Sequence, residues 1–176
     1  MSFTDADLIA RVLVQADQNA FGELVRRHQS PVRGFLLKLA AGDAHLADDL
    51  AQETFVKVWN RLSSFRGEAK FTTWLFGIAC NEWRMHARQR KELALEDLAD
   101  PPPEPEALAT DAASHLRLDL ADAMKRLTPL ERAAIVLCCQ NGLSHAEAAE
   151  ALECPVGTVK TQVLRGREKL KRLLSL

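Results

Sequence analysis

Four prolines stand within five residues, Pro101, Pro102, Pro103 and Pro105, inside the acidic stretch DLADPPPEPEALATD. Proline fixes φ and has no backbone N–H, so a helix cannot run through such a cluster, and extended polyproline geometry is favoured. No apolar periodicity surrounds it. The stretch reads as a linker, placed at residues 92–115, that divides the 176-residue chain into an N-terminal domain at 1–91 and a C-terminal domain at 116–176.

The formal charge of −1 hides the same division. Residues 1–91 carry 13 basic and 10 acidic side chains, residues 92–122 carry one and nine, and residues 123–176 carry nine and five. Two mildly basic blocks thus flank a strongly acidic segment, an asymmetry that points to nucleic-acid contact.

Composition narrows the fold. The chain is 47% hydrophobic, lacks Tyr, and is rich in Ala and Leu rather than in strand-favouring residues. The expectation is all-α: two small helical domains joined by a flexible acidic, Pro-rich linker. No run approaches the ~20 apolar residues of a membrane span. The start, MSFTDADLIARV, carries acids where a secretory signal needs basic residues. A cytoplasmic protein is expected, with Cys80, Cys138, Cys139 and Cys154 as reduced thiols.

In the N-terminal domain, Thr4 can cap a first helix bearing Leu8, Ile9 and Val12. Phe21, Leu24, Val25 and His28 mark a second, which Pro31 interrupts or restarts, and the pattern continues to Gly42. Asp43–Leu62 forms a long amphipathic helix with Leu46, Leu50, Phe55, Val58 and Trp59 on one side and Asp48, Asp49, Gln52 and Glu53 outward. A loop containing Gly67 precedes a helix from Phe71 to about Lys91.

Punctuation is stronger in the C-terminal domain, which opens with Leu116, Leu120 and Leu127 at helical spacing. Thr128-Pro129-Leu130-Glu131 and Ser144-His145-Ala146-Glu147 are capping boxes, each a hydroxyl N-cap with Glu three residues later. The second starts a short helix, followed by a break at Glu153-Cys154-Pro155 and a longer helix from Val156 to Leu173. Short helix, tight turn, longer polar helix is a helix-turn-helix pattern. From Pro155 onward there are six basic residues (Lys160, Arg165, Arg167, Lys169, Lys171 and Arg172) against Glu168 alone. Cations of this kind supply phosphate affinity, and Thr158, Thr161 and Gln162 are short enough to reach base edges.

The segments DDLAQETFVKVW, FRGEAKFTTWLFGIACNEWR, LTPLERAAIVL and GLSHAEAAEALECPVGTVKTQVLRGREKL, in this order, resemble the extracytoplasmic-function (ECF, group 4) sigma factors of the bacterial sigma-70 family. The resemblance implies a region 2 domain, a linker and a region 4 domain, and promoter-specific transcription initiation. It implies docking on the clamp helices of the largest subunit of core RNA polymerase through Asp48, Asp49, Gln52, Glu53, Phe55 and Trp59, and contact with the flap of the second-largest subunit. It implies minus-10 promoter DNA contacts by Phe65, Arg66, Lys70, Phe71, Trp74, Asn81, Arg84 and Arg88. It implies minus-35 contacts by Thr158, Lys160, Thr161, Leu164, Arg165 and Arg167. A cognate anti-sigma factor and a role in stress response are further implications. Two positions depart from the family pattern: Gln162 and Gly77 stand where relatives commonly carry Arg. Each removes a cation, so weaker phosphate affinity is expected.

For Phe55, Trp59, Phe71 and Trp74, packing in the domain core is the competing reading. The cysteines and His145 fit no zinc-ligand spacing, and no phosphate loop, nucleophile elbow or HExxH motif is present. No metal, cofactor, catalytic residue or small-molecule substrate is expected. Two rival functions share the helix-turn-helix: a DNA-binding regulator that works without polymerase, and an interaction module that never touches DNA. The acidic, aromatic Asp48–Trp59 helix separates the first from a sigma factor, because a repressor does not need it.

Overall fold

The computed structural model of the chain describes residues 3–96 and 120–174, and every regular element among them is helical. Helix α1 (Asp5–Gln15) starts at a Thr4/Asp7 capping box and buries Leu8, Ile9 and Val12. Asp17 caps α2 (Gln18–Leu39) by accepting from the backbone N–H groups of Asn19 and Ala20. Pro31 neither breaks nor restarts this helix but lies inside it. A mid-helix proline costs a hydrogen bond and some strain. The buried run Val32, Phe35, Leu36 and Leu39 continues the Ala20–Leu24 face and holds the two halves of α2 in line.

Asp43 caps α3 (Ala44–Arg61), which runs on into a 3₁₀ turn at Leu62–Ser64. Helix α4 (Phe71–Glu96) ends five residues beyond the expected Lys91. Glu, Leu and Ala at 92–96 are strong helix formers, and the prolines begin only at 101. Helices α1, α3 and α4 pack around α2, with Phe35, Leu36, Leu50, Val58 and Leu75 at the centre. The remainder of the expected linker, with Leu116 and the bulk of the acidic segment, lies outside the described residues.

The C-terminal half begins with α5 (residues 120–125). The Thr128/Glu131 capping box, with Pro129 at the first helical position, starts α6 (Pro129–Ile135). The chain then widens into a π turn at Val136–Gln140 and leaves through Gly142 at φ +70°. Helices α7 (His145–Ala151) and α8 (Val156–Leu173) follow, within a residue or two of their expected bounds.

The two halves touch. Helix α7 packs against α4, and the π turn against α2. Arg132 bridges them with main-chain acceptors only: Nε donates to Met124 O (2.9 Å), Nη2 to Lys125 O (3.0 Å), and Nη1 to Leu39 O at the end of α2 (2.7 Å). One guanidinium thus satisfies carbonyls that two helix C-termini leave open.

Candidate docking groove and nucleic-acid interface

An open groove of about 760 Å³ runs between α2 and α3. Its apolar floor is Phe21, Val25, Ala51, Phe55, Val56 and Trp59. Trp59 meets Phe21 edge to face at 4.9 Å. Trp59 is 38% exposed and Val56 59%, so the α3 aromatics face the groove, while Ala47, Leu50, Thr54 and Val58 form the buried face of the helix. Phe21, Val25 and Val56 were missed as groove residues from the sequence. Val56 lies three residues before Trp59, the spacing that places two side chains on one face.

Gln29, Ser30, Arg33, Asp48 and Gln52 are the groove's polar lining. Asp49, Gln52 and Glu53 are exposed. Asp48 is not a free anion: Arg33 grips both carboxylate oxygens, Nε on Oδ1 and Nη2 on Oδ2. Hydrogen bonding from Arg33 holds the Asp48 carboxyl below the usual carboxylate range. Arg33 therefore belongs to the groove wall, a role visible only once α2 and α3 are packed.

On another side, the loop before α4 is pinned by an aromatic cluster. Phe65 lies 5.7 Å from Phe71 and 5.3 Å from Trp74, and Phe71 lies 5.3 Å from His28. Phe71 is 7% exposed, so its ring belongs to the core, whereas Phe65 and Trp74 are half-buried. Gly67, at φ +73°, makes the turn that leaves Arg66 and Lys70 in solvent. The remaining expected contacts are split: Arg88 is exposed, whereas Asn81 and Arg84 meet the other half of the protein.

In the helix-turn-helix, Ser144 caps α7 with Glu147 closing the box. The turn passes through Glu153 at φ +50°, a left-handed conformation that non-glycine residues rarely hold. Helix α8 buries Val159, Val163 and Gly166. A Cβ at Gly166 would lie 2.5 Å from Ile135 Cδ1, so glycine allows α8 to approach α6 this closely. Lys169 does not join the solvent-facing cations. Its Nζ donates to Glu131 Oε2 at 2.8 Å, tying α8 to α6. Burial would raise the Glu131 carboxyl, but hydrogen bonds from Lys169 and Thr128 outweigh it and hold the group below its ordinary value.

The outer face of α8 carries Lys160, Thr161, Leu164, Arg165 and Arg167, all exposed, with Thr158 half-buried. Leu164 is 60% exposed. The Thr161 hydroxyl donates to Gly157 O at 2.9 Å, within its own helix. Among the described residues, no group of three or more His, Cys, Asp or Glu side chains could hold a metal ion. No described helix is long and apolar enough to cross a membrane.

Two helical domains, one carrying an apolar groove and an aromatic-basic loop and the other a helix-turn-helix, define a sigma-70-type architecture. The Sigma-70 region 2 family matches residues 24–92, and the Sigma-70, region 4 family matches residues 117–170. The chain is 34% identical to the ECF RNA polymerase sigma-E factor of Haemophilus influenzae, covering 96% of this chain and 94% of that one. It is 31% identical to the RNA polymerase sigma-H factor of Pseudomonas aeruginosa, over 97% and 93%. Among solved structures it resembles the sigma factor RpoE in complex with the anti-sigma factor NepR from Bartonella quintana, with TM-score 0.74 and 27% identity over 89% of this chain and 97% of that one. It also resembles CnrH in complex with the cytosolic domain of CnrY, with TM-score 0.72 and 30% identity over 97% of each. The chain belongs to the ECF RNA polymerase sigma factors and acts in transcription initiation.

Proposed function

We propose that residues 1–91 form the core-docking and minus-10 domain and residues 116–176 the minus-35 domain. In this reading the α2–α3 groove takes the clamp helices of the largest polymerase subunit. Trp59 and Phe55 are the apolar anchors, and Asp49, Gln52 and Glu53 face a basic partner. A buried aromatic within a polar rim is the arrangement that concentrates binding energy, and charge of opposite sign speeds encounter.

Phe65 and Trp74 offer ring faces for unstacked bases of the melted strand, with Arg66, Lys70, Asn81, Arg84 and Arg88 for phosphates and base edges. Phe71 buttresses Phe65 and Trp74 rather than stacking on a base. Helix α8 enters the minus-35 major groove. Lys160, Thr161 and Leu164 face base edges there, Thr158 lies at the entry, and Arg165 and Arg167 face phosphates. The observation that carries this reading is the solvent-facing stripe of Lys160, Thr161, Leu164, Arg165 and Arg167 on the second helix of the helix-turn-helix.

The protein works in the cytoplasm as an initiation factor without catalytic activity of its own, and contacts the flap of the second-largest subunit through region 4. An anti-sigma factor is its regulator, a partner supported by likeness to chains solved with NepR and CnrY. Run-off transcription with core polymerase tests the whole reading: promoter-dependent transcripts beyond core alone are expected. Tight operator binding without polymerase would instead favour the free-standing regulator.

A further inference from the structure

Two cysteines from opposite halves of the chain come together where α7 ends against α4. Leu152 closes α7, and Glu153 takes up the left-handed conformation at φ +50°. The next two N–H groups fold back, Glu153 N donating to Glu150 O at 3.1 Å and Cys154 N to Ala149 O at 3.0 Å. This pair of bonds around a left-handed residue closes the helix end and returns the following residue towards the helix it has just left. That residue is Cys154, half-buried and packed against the apolar core to which Cys80 of α4 belongs. Cys80 is fully buried, and the two thiols lie within electrostatic reach of one another.

The neighbours of Cys80 on its own face of α4 set the register of this approach. A Cβ added at Gly77, a turn earlier, would lie 3.5 Å from Ala151 Cα. Asn81 Nδ2 donates to Glu153 Oε1 at 3.3 Å, and Arg84 Nη2, a turn later, to Leu152 O at 2.9 Å. Backbones held this close are what a disulfide needs, since its two Cα atoms stand only ~4.4–6.8 Å apart. Burial pushes the Cys80 thiol up to about 11 and raises Cys154 as well, and the Arg84 charge only partly offsets this at either sulfur. At neutral pH both groups are therefore almost wholly protonated, and the reactive thiolate is scarce. The pair stays reduced at low oxidant and reacts as oxidant concentration rises.

We propose that Cys154 is an oxidation site for hydroperoxides, hydrogen peroxide being the simplest, and that Cys80 resolves it to a disulfide joining α4 to the helix-turn-helix. Cys154 reacts first because it is the member of the pair with access to solvent. Its sulfur attacks the peroxide: an S–O bond forms, the O–O bond breaks, and the leaving hydroxide takes the thiol proton to become water. The Cys80 sulfur then attacks Cys154 Sγ: an S–S bond forms, the S–O bond breaks, and a second water leaves with the Cys80 proton. Two thiols lose two electrons in all, and one peroxide gains them. On the reading of Asn81 and Arg84 as minus-10 contacts, on which this consequence rests, the bond withholds that face of α4 from promoter DNA until a dithiol reductant reopens it.

Peptide mapping of the full free chain tests the site. After hydrogen peroxide, removal of the excess and alkylation of remaining thiols in denaturant, a Cys80–Cys154 disulfide should account for most of Cys80 and disappear with dithiothreitol. In Cys80→Ala, dimedone should trap Cys154 as a sulfenic acid. In Cys154→Ser, Cys80 should stay reduced, because peroxide does not reach it. The proposal is overturned if wild-type Cys80 remains alkylatable while the exposed Cys139 is oxidised, or if Cys80 pairs with Cys138 or Cys139 instead. Oxidised factor, freed of peroxide before core polymerase is added, should give at least fivefold fewer promoter transcripts, with dithiothreitol restoring them and Cys154→Ser resisting the loss. A complete Cys80–Cys154 disulfide with unchanged transcription would leave the oxidation site standing and overturn the minus-10 reading of α4, so the two can fail separately.

Discussion

Trp59 is the residue whose loss separates binding from folding most cleanly. Its ring is 38% exposed and rests on Phe21, outside the buried face of α3. Trp59→Ala should weaken core polymerase binding by about 30-fold, the effect of losing ~2 kcal/mol at an aromatic anchor. Competition against labelled wild-type factor measures this, and the thermal midpoint should stay close to wild type. Leu36, fully buried at the centre of the N-terminal core, gives the opposite pattern. Leu36→Ala should cost ~2–5 kcal/mol in denaturant unfolding, the lost transfer energy plus a cavity.

Glu147 belongs to the same scale. Hydrogen bonding from Lys70, then from Ser144 of its own capping box, holds its carboxyl at about 2 against an ordinary 4.5. A depressed carboxylate stabilises the folded arrangement above the ordinary value, and that contribution is lost as pH falls through the depressed one. The Glu147 carboxyl resonance should therefore titrate near pH 2. In Lys70→Ala the midpoint should move up toward the ordinary value, with the remaining depression due to Ser144. A midpoint unchanged by Lys70→Ala would mean that the pair does not form in solution.

At the scale of the element, local chemistry and long-range packing part company. The caps at Thr4, Thr128 and Ser144, the helix-turn-helix break and the bounds of α8 were legible because hydroxyl, proline and glutamate signals act within a turn of the chain. Pro31 was misread because its local cost is real, while the buried face that overrides it is assembled from three other helices. Lys169 was counted among free cations because its partner, Glu131, lies 38 residues away. Of the groove lining, Asp48, Gln52, Phe55 and Trp59 on α3 were readable as one helix's residues. Arg33, Phe21 and Val25 enter from α2 and could be placed only by packing.

Two substitutions on α8 test this division of its cations. Arg165→Ala and Arg167→Ala should each reduce the salt slope of promoter binding by the holoenzyme by about one, with little change in sequence preference. Lys169→Met should leave that slope unchanged and lower thermal stability by ~1–3 kcal/mol, because it strands the buried Glu131 carboxylate without its donor. Filter binding across a salt series and thermal unfolding distinguish the two outcomes.

Across the whole molecule, the net charge of −1 is an average over surfaces with different uses. Asp48 of α3 lines the α2–α3 groove, Lys160, Arg165 and Arg167 of α8 face solvent, and Glu147 and Glu153 answer Lys70 and Asn81 across the interface between the halves. The contact between the halves was not readable from the sequence. The proline-rich segment announces a division, but nothing local says that the pieces meet again.

The Arg132 bridge bears on how such a protein can be rebuilt. Its guanidinium grasps the carbonyls of Leu39, Met124 and Lys125, which any amino acid at those positions would present. The joint is thus indifferent to the side chains on the opposing half. Chimaeras that pair this region 4 with the region 2 of another family member should keep it wherever α2 ends at the same place. Promoter preferences could then be exchanged as whole modules with this joint kept, while the side-chain pairs Lys70–Glu147 and Asn81–Glu153 would still need matched partners.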